Sequence, residues 1–435
     1  MDKLRILQLS DIHNISCPKA MDPYKSMRKG LIQDIKAYYE HNQSSFDAIL
    51  ICGDIAFSGA KEEYDKSKEF IEKVCDVVDC KLSQVYVVPG NHDKNRKEGK
   101  PALRRLLNWG MMHIDEEEKM FEHLMEEESS LFSNLYLPFK HYLEFSKSFD
   151  NFEPIMAKCI ENSEESNLQL DLDKDKMFWK SELTKDFHGY GVNLIGLNSA
   201  LTCDEDDWSP DWKKDGHQMF LSVFAHNNLE LDADDSINIL MMHHPLDFIV
   251  NGDVLMKKFD KQFLLQFYGH IHQPDSFQSN QGGAVRVYSG AMQPPKGASD
   301  EEKKKYFPIY NIVELGVSGD DKKCLDFKLI VSKWNGNSFV EYSEQCKNFS
   351  VDLPTAPINR WKEKEKTTSK TLPQGVSLRD ITCSFYESLN HKKLIEKMYT
   401  GMYDKSNYDY INCQLFLKRV EIDNRWCDLW NLLKS

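Results

Sequence analysis

The feature that most constrains this chain is a recurrence. Each of five short segments places Asp, His or Asn directly after an apolar, β-prone run: Asp11-Ile12-His13, Gly53-Asp54, Gly90-Asn91-His92-Asp93, His243-His244-Pro245 and Gly269-His270-Ile271-His272. The runs before them are Leu4 to Leu9, Ala48 to Cys52, Gln84 to Val88, Ile237 to Met242 and Leu264 to Tyr268. Side chains just past the ends of neighbouring strands converge at one edge of an α/β sheet. Glycines beside the polar residues let backbone approach a bound group closely. Taken singly, no segment is decisive, because a histidine after a strand is commonly a hydrogen-bonded structural residue. As an ordered set they predict one shared site, which a purely structural core does not call for.

The rest of the first half supports the same wiring. Apolar residues Met27, Leu31, Ile35 and Tyr38/Tyr39 recur at helical spacing, predicting a helix from about Pro23 to Glu40 with Asp22 as N-cap and Pro23 in the first turn. A second helix is expected over Lys61 to Val78, and further strands over Val192 to Leu197, Val285 to Tyr288, Ile309 to Leu315 and Leu325 to Val331. Strands alternating with amphipathic helices give an α/β sandwich or doubly wound sheet.

At 435 residues the chain exceeds what one core usually organises. We expect a catalytic domain over residues 1–335, interrupted by a charged, mostly helical insertion at about 94–187 that holds the acidic runs Asp115–Glu118 and Glu126–Glu128. Such an insertion forms a cap or a partner surface, or else a solvated helical face. Residues 336–372 read as an irregular segment or linker, with the boundary near 350–372. Residues 373–435 regain helical periodicity with Phe385, Tyr386, Leu394, Phe416, Trp426 and Trp430, an extension expected to dock on the core or on a protein partner.

No apolar run reaches the roughly 18–20 residues needed to cross a bilayer, and no export signal is visible at the N-terminus. The eleven cysteines are scattered without a knuckle spacing, so reduced thiols and a cytoplasmic location are expected. A formal charge of −14 argues against a surface built to track a nucleic-acid backbone. An anionic substrate must then be held by metals and local cations. The dense basic stretch near a motif is Lys94, Arg96, Lys97, Lys100, Arg104 and Arg105, in which Arg96 is the candidate to grip a phosphate oxygen and a solvated turn is the alternative.

Carboxylate and amide oxygens mixed with imidazole, and no thiolate, suit divalent transition metals: Mn, with Fe, Zn, Co or Ni as alternatives. Seven candidate ligands exceed what one ion takes from protein while leaving room for water and substrate. Two ions are therefore expected, with a central carboxylate such as Asp54 bridging them and a shared hydroxide as the nucleophile.

In order and content, D-x-H, G-D, G-N-H-D, H and G-H-x-H, these segments resemble the calcineurin-like metallophosphoesterase superfamily over roughly residues 4 to 333. The resemblance implies a four-layer αββα sandwich with two metals at the strand ends. It implies Asp11, His13 and His272 on one ion, Asn91, His243 and His270 on the other, and Asp54 between them. It also implies that His92 is not a ligand and protonates the leaving oxygen or steadies the transferred phosphoryl group. Either of His243 and His244 can fill the fourth motif's position; the family usually uses the earlier one. The family's protein phosphatases carry G-D-x-x-D-R-G where this chain has Gly53-Asp54-Ile55-Ala56-Phe57-Ser58-Gly59, and purple acid phosphatases have a tyrosine ligand where it has Phe57. What remains resembles the branch of phosphodiesterases, nucleotide hydrolases and nucleases. The expected activity is hydrolysis of a phosphodiester or nucleotide by in-line attack. The alternative is a nuclease or an effector subunit gated by a partner protein.

Overall fold

Every residue of Ala48–Cys52 is apolar and every one is buried, which a strand tolerates only when both its faces are covered. The computed structural model supplies both covers. It describes residues 3–15, 22, 24–43, 45–98, 135–149, 153–154, 178–203, 219, 221, 236–249, 252–279, 283–293, 307–319 and 323–353. The chain divides into two compact units, Met1–Ala356 and Pro357–Ser435. The expected extension at 373–435 lies outside the described residues.

The strands of the first half are β1 (Leu4–Leu9), β2 (Ala48–Cys52), β3 (Val85–Val88), β4 (Glu153–Pro154), β5 (Phe178–Phe187), β6 (Tyr190–Leu197) and β7 (Ser236–Met242). Those that follow are β8 (Leu265–Tyr268), β9 (Asp275–Gln278), β10 (Val285–Tyr288), β11 (Ile309–Ser318), β12 (Cys324–Trp334), β13 (Phe339–Glu341) and β14 (Lys347–Asp352). The helices are α1 (Lys25–Asn42), α2 (Lys61–Val78), α3 (Lys140–Ser146) and α4 (Gly252–Gln262). One sheet has the order β13-β12-β11-β1-β2-β3, with β14 also on β12; the other runs β4-β5-β6-β7-β8-β10-β9. β1, β2 and β3 are parallel, as are β6, β7, β8 and β10.

Residue alternation builds the layers. From β2, Ala48, Leu50 and Cys52 join Ile239 and Met241 of β7, Phe267 of β8 and Val287 of β10 in a core between the sheets. Ile49 and Ile51 cluster instead with Leu31 and Ile35 of α1 and Ile71 and Val74 of α2, and Leu240 and Met242 with Leu255 and Phe259 of α4. The result is the helix, sheet, sheet, helix sandwich expected.

The edge of β3 is sealed by residues from the expected insertion. The Val87 carbonyl accepts the Tyr142 hydroxyl from α3 at 3.2 Å and the Trp179 indole N–H from β5 at 3.0 Å. Trp179 fits because its neighbour in the adjoining strand is Gly196, where a Cβ would come within 2.1 Å of the indole.

Three expectations change. The segment 94–187 is not a helical insertion throughout: Phe178–Phe187 is a strand, and Phe139, Tyr142 and Phe149 are core residues with no exposed surface. Its charged stretch Glu182–Asp186 faces outward, hiding the strand from a hydrophobic-pattern reading. Its acidic runs lie outside the described residues. Residues 336–372 are not irregular throughout either, since β13 and β14 both pair with β12; they are short, polar strands at a sheet margin. Finally, α1 begins at Lys25, with Asp22 accepting the Tyr24 N–H at 3.0 Å rather than capping the helix from the N-cap position.

Candidate metal centre

Parallel strands of one sheet end at the same edge, so the loops after β1, β2 and β3 start together, as do those after β7 and β8. Main-chain bonds then fasten loop to loop. Asp11 and His13 donate their N–H groups to the carbonyls of Gly53 and Asp54 at 3.1 and 2.9 Å, and Gly269 donates to His243 at 2.9 Å. Asp11, His13, Asp54, His270 and His272 all take left-handed backbone angles, φ between 47° and 69°. Such conformations cost of order 1–3 kcal/mol each in non-glycine residues and concentrate at functional sites. Two glycines make room: a Cβ on Gly53 (φ 87°) would meet His243 Nδ1 at 2.5 Å, and one on Gly90 would meet Asp54 Oδ1 at 2.1 Å.

The side chains converge as the sequence suggested. Asp11, His13 and His272 form one group of potential ligands, His243, His244 and His270 another, and Asp54 joins both Asp11 with His243 and His13 with His92; within each group the donor atoms lie within 4.8 Å of one another. His272 Nε2 is 3.1 Å from Asp11 Oδ1 and 3.5 Å from His13 Nε2. His243 Nε2 is 3.1 Å from Asn91 Oδ1 and 3.4 Å from Asp54 Oδ2. The Asp54 Oδ1 oxygen accepts the His92 backbone N–H at 2.8 Å, whereas Oδ2 is buried with no hydrogen bond and stands 3.7 Å from His13 Nε2. A buried carboxylate oxygen that lacks a well-formed hydrogen bond, with imidazole nitrogens at 3.4 and 3.7 Å, is costly. Divalent cations fit it, and the mixed oxygen and nitrogen donors suit transition metals.

Hydrogen bonds orient the rings. The Cys52 carbonyl can only accept, so His243 donates Nδ1–H to it at 2.7 Å and leaves Nε2 facing Asn91 and Asp54. His92 likewise donates Nδ1–H to the Phe57 carbonyl at 2.7 Å, and its ring sits 4.6 Å from that of His13. Its backbone N–H is tied to Asp54, so its place is set from both ends.

Charge and burial compete within the cluster. Burial opposes ionisation of Asp11, but His272 and His243 outweigh it and hold its pKa down to about 2. Asp54 is driven lower too: burial is overcome mainly by His243 and His92. Burial lowers His13 and His270 to about 3, so both are neutral and able to ligate. His243 shows the reverse outcome, with burial outweighed by Asp54 and its pKa raised to about 9.

Arg96 lies half-buried in the turn after Asn91–Asp93, and among the described residues no hydrogen bond joins it to the cluster. Lys94, grouped with it in the sequence, is turned away: Nζ is buried and donates to the Leu201 and Cys203 carbonyls at 3.0 and 2.5 Å. Lys100, Arg104 and Arg105 lie outside the described residues.

Two residues, Asp93 and Ser199, support the cluster in roles that the linear pattern did not assign to them. Asp93 accepts the N–H groups of Ile55, Ala56 and Gly90 and the Tyr64 hydroxyl, clamping the β2 and β3 loops together; burial raises its pKa to about 6. Ser199, at the end of β6, holds His244. Asp93 belongs to a motif already singled out, but nothing in the linear pattern separates a clamp from a ligand.

A profile of the family described as calcineurin-like phosphoesterase matches residues 4–274. The chain is 24% identical over 307 residues to the "Uncharacterized metallophosphoesterase-like protein YydB" of Bacillus subtilis (strain 168), a match covering 69% of this chain and 56% of that one. The chain thus spans little more than half the length of that curated relative. Among solved structures it is similar to a predicted phosphoesterase from Streptococcus pneumoniae TIGR4, at 12% identity and TM-score 0.30, covering 80% of this chain and 99% of that one. It is also similar to a purple acid phosphatase from yellow lupin (Lupinus luteus) seeds, at 11% identity and TM-score 0.39, covering 80% of this chain and 54% of that one. The profile takes in every donor loop from Asp11 to His272 and well over half of the sequence: the chain belongs to the calcineurin-like phosphoesterase family.

Proposed function

We propose that this protein hydrolyses phosphodiester or nucleotide substrates at a centre of two divalent transition-metal ions, Mn foremost. Membership of the family already implies a metal-dependent hydrolase of phosphoesters. The observation that carries the finer reading is Asp54 Oδ2, buried without a well-formed hydrogen bond between the His243 and His13 nitrogens at 3.4 and 3.7 Å. In this reading Asp11, His13 and His272 hold one ion, Asn91, His243 and His270 the other, and Asp54 is shared.

Bound there, the ions would polarise the phosphoester and lower the pKa of a shared water from about 15.7 toward about 7. The chain's own groups do the rest. His92, held through Nδ1 by the Phe57 carbonyl, keeps Nε2 free to pass a proton to the leaving oxygen, a role typically worth about 10²–10⁴ in rate. The Cys52 carbonyl fixes the His243 ring, and the Asp93 clamp keeps the Asp54 and His92 loops in register. Arg96 would contact a non-reacting phosphate oxygen, its partial exposure leaving the guanidinium able to reach a ligand.

Hydrolysis of bis-para-nitrophenyl phosphate with Mn²⁺ tests this. Asp54→Ala should lose both turnover and metal, and His92→Ala should keep the metal while losing about 10²–10⁴ of kcat. Arg96→Ala should raise KM with little change in kcat. Turnover surviving in Asp54→Ala would end the proposal. An inactive protein carrying two ions would instead direct the search to a gating partner or a narrower substrate, nucleic acid included.

A further inference from the structure

His244 is the one histidine of the cluster that the scheme above leaves unused. It has no exposed surface. Its ring centroid lies 4.7 Å from that of His243 and 4.5 Å from that of His270, and a nitrogen of each of the three lies within 4.8 Å of the others. Its two ring nitrogens differ sharply. Nδ1 is 2.9 Å from Ser199 Oγ, while Nε2 is buried and has no hydrogen-bond partner.

Ser199 is the partner of Nδ1, and the tautomer with a proton on Nδ1 is the one that frees Nε2. The backbone N–H of His244 also meets Ser199 Oγ at 2.9 Å, so that oxygen is already an acceptor at this residue. A hydroxyl oxygen has two lone pairs. The hydroxyl can give its own proton to Nδ1 or take Nδ1–H on its second lone pair; in the latter arrangement Nε2 carries a bare lone pair, and Nδ1 is anchored as that of His243 is by the Cys52 carbonyl. Neighbouring histidines thus both have a hydrogen-bond partner at Nδ1, which leaves Nε2 as the edge available to an ion. An ion suits a buried imidazole nitrogen with no hydrogen-bond partner, at a bond length of about 2.0–2.1 Å.

We propose that His244 is a further protein ligand, through Nε2, to the ion held by Asn91, His243 and His270, and that Ser199 is its positioning residue. The proposal rests on the two-ion reading above. Three imidazoles would make this ion's surroundings richer in nitrogen than those of its neighbour, which has two imidazoles and carboxylates. Such a donor set favours metals late in the divalent series, so the two positions should differ in metal preference.

The test is metal titration of the full-length, metal-free protein, followed by calorimetry with Mn²⁺ and by the visible spectrum with Co²⁺, in wild type, His244→Ala and Ser199→Ala. Wild type should bind two ions. Ser199→Ala should weaken one of them by about 10–100-fold, the usual effect of losing a partner behind a ligating histidine. His244→Ala should weaken the same ion at least as much and alter the Co²⁺ spectrum, because a donor is lost. Circular dichroism melting of the metal-free variants checks their folding; if His244→Ala fails it, Ser199→Ala carries the test. Folded variants that bind both ions as wild type does, with an unaltered Co²⁺ spectrum, would overturn the ligand role and leave the two-ion reading standing. Wild type binding fewer than two ions would take down both.

Discussion

At the scale of single residues, the cluster is an arrangement of protons as much as of donors. His243 retains its proton to about pH 9 because, although burial works against it, Asp54 and Asp11 together pull harder. Burial likewise opposes His272, yet its pKa is raised by Asp11. An incoming cation has to evict these protons. Mn²⁺ affinity should therefore climb about tenfold per pH unit for each proton displaced, and flatten once the pH passes the His243 value. Calorimetry in buffers of different ionisation heat counts the protons, and an affinity unchanged between neutral and alkaline pH would contradict the assignment. The same raised pKa sets a sign for metal-free stability: the His243 contribution is complete below its ordinary value of 6.5 and disappears as pH rises through about 9. Asp11, held down to about 2, behaves oppositely: its contribution is present above its ordinary value of 3.8 and is lost as pH falls through about 2. Residue identities at the site were legible in the sequence because chemistry restricts which side chains can ligate. Tautomers, the setting of the Asp54 Oδ2 oxygen and the left-handed backbone were not, since each depends on partners distant in the chain.

At the scale of elements, the strand ends are held by neighbours with no metal-binding chemistry of their own. Helix α2 is an example. Glu63, in its first turn, accepts the N–H groups of Ser58 and Ala60 at 2.8 and 3.2 Å, while Tyr64 one position on reaches Asp93. The helix start thereby braces the loop that carries Asp54. Glu63→Ala should cost about 1–2 kcal/mol in chemical denaturation, the usual penalty for removing a helix-start acceptor; an unchanged midpoint would show the brace to be idle. Elements with strong periodicity were the readable ones: α2 spans Lys61–Val78 and β10 Val285–Tyr288, as the pattern suggested. β5, β13 and β14 were not. Each lies toward a sheet margin, where half-exposed positions dilute the apolar signal. β9 is a four-residue edge strand with a single buried position, too short a run to register.

At the scale of the whole molecule, both sheets are complete by Asp352 among the described residues, and every candidate ligand lies before that residue, in loops that follow their strands. A chain ending at Ala356, the limit of the first compact unit, should fold cooperatively and retain the metal stoichiometry of the full protein. Loss of cooperative thermal unfolding on that truncation would show that the remaining residues supply part of the core. Strand order also has a consequence for synthesis. β1 carries the first donors, yet its partner on one side is β11, about three hundred residues later, and the last donor loop follows β8. A nascent chain leaving the ribosome from its N-terminus thus exposes Asp11 and His13 long before their surroundings exist. Only after residue 318 has emerged can β1 gain both its neighbours. The donor set itself is complete only once His272 has emerged, so filling of the centre is a late event in the life of the polypeptide, later than synthesis of β8.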